Sequence, residues 1–322
     1  MTATVAASKA YDLSGNVLKE DLRDIIYDIS PMETIFMSRA GRGTAKSTTH
    51  EWLTDSLASP AKNAAIEGDA FTAVARTLPA RLKNYTQISR KDFEVTGTAQ
   101  KVSNAGMREL MAYHTAQASK EIKRDMETGL LSDEPASAGT SVSARVSAGA
   151  EAWIYAPNHI SINQSAATTT APVSGFATSP VTDGTATAFT SVGLNSMLQQ
   201  AWSMGGETDT ILVGPSLYNT ISAFTGIATR FRDVGSRQQA QIIGAADVYV
   251  SAFGSHNIVL SRYARSTTVF CLDMSTWEVA YLRPFQTIDV ATVGDAKRKA
   301  LLAEYTLVCK TPLANTKATT MS

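Results

Sequence analysis

Apolar residues recur at helical spacing most clearly between Gly106 and Leu131. Met107, Leu110, Met111, Ala118, Ile122, Met126 and Leu130 fall at mostly i+3/i+4 steps. Arg108, Glu109, Lys120, Glu121, Lys123, Arg124, Asp125 and Glu127 take the opposite face. One apolar stripe against a charged face of mixed sign predicts a single long helix with one side buried. At 1.5 Å per residue it spans roughly 40 Å, so another part of the chain has to lie along it.

Other segments carry weaker forms of the same signals. Leu18, Leu22, Ile25, Ile26 and Ile29 predict a short amphipathic helix, and Ser30-Pro31-Met32-Glu33 reads as a capping box opening a second short helix through Met37. Residues 46–57 and 81–95 alternate and are rich in Thr, aromatic and branched side chains, which predicts two strands. The roughly twenty residues between them are too many for a tight hairpin and suit a projecting arm. A two-stranded ribbon is marginal in water, and nothing near it in sequence offers it a surface. Its basic residues (Arg76, Arg81, Lys83, Arg90, Lys91) and acidic ones (Glu51, Asp55, Glu67, Asp69) suit docking on a neighbouring copy.

Beyond the long helix, residues 132–190 are dominated by Ser, Thr, Ala and Gly around an apolar island, Trp153-Ile154-Tyr155. That composition suits a linker or an extended, weakly hydrophobic β insertion, and no element is assigned within it. From about Thr190 the pattern becomes α/β. A helix is expected to Gly205-Gly206, then a buried strand at 210–213 and a helix started by Pro215. Short strands are expected at 246–252, 258–261, 267–272, 277–282, 287–290 and 301–309, with 294–299 as a basic turn between the last two. The Ala/Ser/Thr-rich ends of the chain would fray in an isolated domain, so neighbours are expected to hold them.

Composition sharpens this picture. The 322 residues suggest two or three domains or subdomains. Charged residues make up only 18%, below the usual quarter, so either much surface is buried or large contacts form with other copies. A formal net charge of zero argues against a dedicated nucleic-acid binder. Cys271 and Cys309 lie in expected strands and read as buried thiols. The first sixteen residues lack a charged start and an apolar core, so no secretory signal is expected. No apolar run approaches the roughly 20 residues of a membrane span.

Candidate chemistry is sparse. Gly41-Arg42-Gly43-Thr44-Ala45-Lys46-Ser47 resembles a phosphate loop, but Ala45 stands where the pattern needs glycine and a strand follows, so a flexible joint is the better reading. His50, His114, His159 and His256 show no paired metal-ligand spacing. Gly214-Pro215-Ser216-Leu217-Tyr218 lacks the closing glycine of a nucleophile elbow. Asp133-Glu134, and Asp247 with Glu278, cannot be shown to converge. Arg39, Arg42, Lys46, Lys297, Arg298 and Lys299 would suffice for loose, sequence-independent contact with nucleic acid if repeated over many copies. No catalytic, cofactor-binding or metal-ligating residue is assigned.

The order of these elements resembles the major capsid proteins of tailed bacteriophages with the Hong Kong 97-type fold, and in particular the SU-ten-like group. The residues that carry the resemblance are Ile29 to Thr34, His50 to Leu57, Glu67-Gly68-Asp69-Ala70, then Phe93, Val95, Gly97 and Thr98, and Gly294-Asp295 leading to Ala303-Glu304-Tyr305-Thr306-Leu307. The resemblance implies an α+β capsid fold. It has an N-arm (1–45), an extended β-ribbon loop lying across a neighbour (46–95), and a spine helix of the peripheral domain (96–131). A Ser/Thr-rich peripheral or insertion segment (132–190), an axial domain (191–275), and C-terminal strands completing the sheet with a tail (276–322) follow. It further implies self-assembly into hexamers and pentamers of an icosahedral head shell around double-stranded DNA. Scaffolding, portal and decoration proteins are the implied partners, with no membrane, and the virion is the location after assembly in the host cytoplasm. A non-viral compartment shell enclosing cargo protein, or a small hydrolase using Ser216, are the alternatives.

Overall fold

The computed structural model describes residues 33–322, apart from 56, 59, 71–75, 77, 103–108, 163–167, 225–247 and 292–293. The chain begins with α1 (Ile35–Arg39), β1 (Gly41–Thr44) and β2 (Thr49–Thr54). After a long loop come β3 (Ala80–Tyr85), β4 (Gln87–Thr96), α2 (Gly97–Lys101) and α3 (Leu110–Leu130). Then follow α4 (Ala150–Trp153), α5 (Ser191–Ser203), β5 (Thr210–Val213) and α6 (Pro215–Ser222). The remainder is strand: β6 (Val248–Ser251), β7 (Gly254–Leu260), β8 (Val269–Leu272), β9 (Trp277–Val290), β10 (Ala296–Cys309) and β11 (Thr316–Ala318).

Three sheets result: β1-β9-β10-β4, β11-β8-β5-β7-β6, and the ribbon β2-β3. Helix α3 lies along β4 and β10, with Met111, Ala118, Ile122, Met126 and Leu130 buried, as the stripe requires. Strands β5 and β8, inside the five-stranded sheet, are buried on both faces. Leu212, Phe270 and Leu272 join a core shared with α3 and the four-stranded sheet. Ile211, Val213, Val269 and Cys271 join a second core under α5 and α6.

Several expectations are corrected. Glu127, placed by periodicity on the charged face of α3, is wholly buried. Its carboxylate accepts the Phe36 and Met37 amides at 2.7 and 2.9 Å. Those are first-turn amides of α1, which a five-residue helix cannot satisfy itself. Thr34 is the N-cap of α1, and its side chain makes no capping bond; the carboxylate reaching across from α3 does that work. The helix expected at 18–29, with Ser30 and Pro31, lies outside the described residues.

The glycine-rich stretch at 41–44 is not a flexible joint but strand β1, paired in parallel with residues 278–281 of β9. A Cβ at Gly43 would stand 1.6 Å from Glu278 Oε1, so the Glu278 side chain occupies the space that glycine leaves open beside β1. Residues 277–290 form one strand, and β10 begins at Ala296, so Lys297, Arg298 and Lys299 lie in a strand rather than a turn. Residues 81–95 divide at Thr86, and β4 leaves the ribbon for the main sheet, pairing with β10 from Gln87 to Thr96. The polar tail needs no neighbour to hold it. Asn315 to Thr319 are all buried, with β11 paired to β8 and Met321 bridged to Thr187.

Candidate assembly surfaces

The ribbon does find a partner in its own chain, from its base at Tyr85 as far up as Trp52 and Leu82. Trp52 packs at a tilt on Trp153, ring centroids 5.3 Å apart, and donates its indole N–H to the Cys309 carbonyl at 2.9 Å. Tyr85 stacks on Phe176 at 4.5 Å. Asn84, fully buried, donates to Leu307 O at 2.7 Å and accepts from the Ala148 amide. The Ser/Thr-rich segment therefore supplies the surface that local sequence lacked. Arg81 and Lys83 pair with Glu51 across the ribbon itself, and Lys91 pairs with Asp125 on α3, so these charges are matched within the chain.

The loop beyond the ribbon is different. Every described residue from 57 to 70 is exposed, with Leu57, Ile66 and Leu78 at 95, 80 and 85%. Large apolar side chains in that state on a projecting loop mark a contact surface. Its tip is a turn, Ile66-Glu67-Gly68-Asp69, closed by the Asp69 amide on Ile66 O at 3.1 Å, with Gly68 at φ +82° where a side chain would be strained. Two further surfaces are open. Residues 284–290 of β9 are exposed on both faces beyond the end of β1. The edge strand β6 of the five-stranded sheet exposes Val248 and Val250.

A charged cluster sits inside the fold where the Ser/Thr-rich segment, the 261–268 turn and the tail meet. Arg265 pairs with Glu151 at 2.9 Å, with Asp133 at 3.5 Å, and with Asp183. Lys317, with no exposed surface, donates to the Glu151 carbonyl and to Thr169 Oγ1. Burial drags its ammonium down to about 7, against the upward pull of Glu151. His159 bridges Thr169 and Thr319 through its two ring nitrogens at 3.1 and 3.0 Å. Burial, helped by the Lys317 charge, lowers its pKa to about 3. Another buried carboxylate, Glu304, is clamped between Arg145 at 2.6 Å and Arg283 at 2.8 Å. Sequence reading missed both groups, because their members are scattered over more than a hundred residues and no spacing marks them.

His159 carries a pH prediction. Its folded pKa lies below its unfolded value near 6.5, so the unfolded chain binds the extra proton between these limits. Stability from this group is therefore complete above about pH 6.5 and drains away towards pH 3, by up to about 5 kcal/mol. Urea midpoints of wild type and His159→Gln should differ at pH 7 and converge towards pH 4. Parallel pH profiles for the two would contradict this.

The other sequence candidates separate. The Ser216 hydroxyl donates to the Ser266 carbonyl at 3.1 Å rather than to an imidazole. His256 holds Thr208 O and Ser251 Oγ, while His114 packs beside Phe93 and His50 beside Trp52. Among the described residues no group of three His, Cys, Asp or Glu could hold a metal. Glu278 pairs with Lys310, and Asp247 lies outside the described residues. Arg298 pairs with Glu94, Lys299 with Asp289, and Arg39 donates to Thr210. Cys271 and Cys309 are buried free thiols whose pKa values burial raises.

The model of one family, the SU10 major capsid protein, matches residues 2–322. This chain belongs to the SU10 major capsid protein family. It is 26% identical to the major capsid protein of Escherichia phage Phieco32, covering 95% of this chain and 94% of that one. In fold it is similar to the capsid of a native GTA particle, with TM-score 0.64 and 9% identity over 99% of this chain and 100% of that one. Mycobacterium phage Bobi follows at TM-score 0.60 and 14% identity, over 98% and 99% of the two chains. The capsid of cyanophage P-SCSP1u gives 0.58 and 12%, over 100% and 97%. These likenesses establish the Hong Kong 97-type α+β fold. As a member of the SU10 major capsid protein family the chain has a structural role, self-associating into the capsid shell of a phage virion.

Proposed function

We propose that copies of this chain form hexamers and pentamers that tile an icosahedral head around packaged double-stranded DNA. In that arrangement residues 1–45 are the N-arm and 46–95 the extended loop, whose tip crosses onto the next subunit. Residues 96–131 carry the spine helix and 132–190 form a peripheral insertion packed on the ribbon base. Residues 191–275 build the axial domain, and 276–322 complete both sheets. The head is built in the host cytoplasm with scaffolding and portal proteins, and a decoration protein is a further partner. Packaged DNA is touched without sequence preference, no membrane is involved, and the chain itself performs no catalytic step.

The observation that carries this reading is the exposed apolar loop beyond the ribbon. Leu57, Ile66 and Leu78 are uncovered among the described residues, and a repeating lattice supplies cover at every copy. Negative-stain imaging of the purified protein at high concentration should show closed shells or curved sheets. Monomers alone, at every concentration tried, would overturn the reading. DNA inside particles from infected cells separates a phage head from a compartment shell, which would hold protein.

A further inference from the structure

A cavity of about 420 Å³ opens at the surface where α1, β1, α3 and β9 meet. Two cations, Arg42 and Lys123, line it, and neither has an ion-pair partner among the described residues. Thr34 and Ser38 add hydroxyls, while Met37 and Phe285 give it an apolar wall. Phe285 is 37% exposed there. The size is that of sites that hold ligand-sized groups.

The same chain presents the complementary chemistry. The loop turn Ile66-Glu67-Gly68-Asp69 carries one bare aliphatic side chain and two exposed carboxylates, which likewise have no ion-pair partner among the described residues. We propose that this acidic, apolar turn of one copy seats in the Arg42/Lys123 cavity of the next, the carboxylates meeting the two cations and Ile66 covering Phe285 and Met37. The inference rests on the shell reading and adds the residues that form the contact. A nucleic-acid phosphate would also suit two cations, but it would leave the apolar wall and Ile66 uncovered. Opposite charges across such a contact act mainly on register and partner choice, since like charges placed there suppress docking.

The test is a charge exchange in the full chain. Glu67→Lys with Asp69→Lys, and separately Arg42→Glu with Lys123→Glu, should each lower the yield of shells about tenfold or more. All four sites are exposed, so thermal melts should match wild type. Combining the two sets in one chain should restore shells. Normal shells from either set alone would overturn the docking, as would a combined variant that stays unassembled. Loss of DNA retention with shell yield unchanged would assign the cavity to phosphate instead, and also overturns it. Failure of the wild type to form shells would sink the shell reading itself, a separate result.

A second readout uses the burial of both native thiols. Asp69→Cys with Lys123→Cys, oxidised after assembly, should give a ladder of covalent multimers on a denaturing gel. A monomer band alone, from shells that formed normally, counts against the contact.

Discussion

Ile122→Asp should leave no folded protein. Ile122 is fully buried in mid-α3, in the cluster that joins that helix to α1, the four-stranded sheet and the inner face of the five-stranded one. The change removes an aliphatic side chain worth roughly 1.5–3 kcal/mol of burial. It also places a carboxylate among apolar groups, at a cost of several kcal/mol even after relaxation. Their sum approaches the whole stability of a typical domain, about 5–15 kcal/mol. A circular dichroism melt should show no cooperative transition. Ile122→Val, costing about 1 kcal/mol, serves as the control that keeps the fold. Met111, at 4% exposure near the start of the same helix, should behave alike when replaced by Asp. A wild-type melt from Ile122→Asp would mean that the stripe does not face the core.

Why that stripe was legible and Glu127 was not follows from what periodicity measures. A helix of ordinary composition reports its buried face by where the apolar side chains fall, and α3 does so at five positions. It cannot report a carboxylate drawn inward by backbone amides ninety residues away. The same limit hid the base of the ribbon. Trp52 and Leu82 alternate as a half-buried strand should, but the surface they cover comes from Trp153 and from a segment whose small residues read as linker. Ala136, Ala148, Ala150, Ala152 and Ala177 are all buried there. Small side chains let that backbone lie close against the sheet, so the segment is packed without being hydrophobic in composition. The tail fails as a sequence signal for a related reason. Lys317 and Thr319 are polar, yet their partners are Glu151, Thr169 and His159, and only the assembled fold brings those together. Family resemblance rested on short stretches, and several of these prove to be structural joints. His50 to Thr54 is the ribbon strand that docks on Trp153, Glu67 to Ala70 is the loop tip, and Ala303 to Leu307 is the middle of β10.

Deleting residues 60–79 should abolish shells while leaving the subunit folded. Ribbon pairing runs from Thr49–Tyr85 to Thr54–Ala80, so the deletion joins the two strands through residues 55–59. A five-residue connection is ordinary for a hairpin, and shortening a surface loop changes closure entropy only slightly. Every described residue removed is exposed, so among the described residues the deletion takes away no buried contact. Its melting midpoint should stay within a few degrees of wild type, and Trp52 should keep its packing on Trp153. What the deletion removes is Ile66 and Leu78 together with the acidic turn. If both side chains are covered in the lattice, roughly 3–6 kcal/mol of burial is lost per copy. In the proposed docking each subunit both gives and receives one such contact, so the loss recurs at every junction. Sedimentation and negative stain should therefore find a folded monomer or small oligomer and no closed particles. Normal shells from this variant would mean that the loop is decoration on the surface, and that copies of the chain hold together through the open β9 and β6 edges instead.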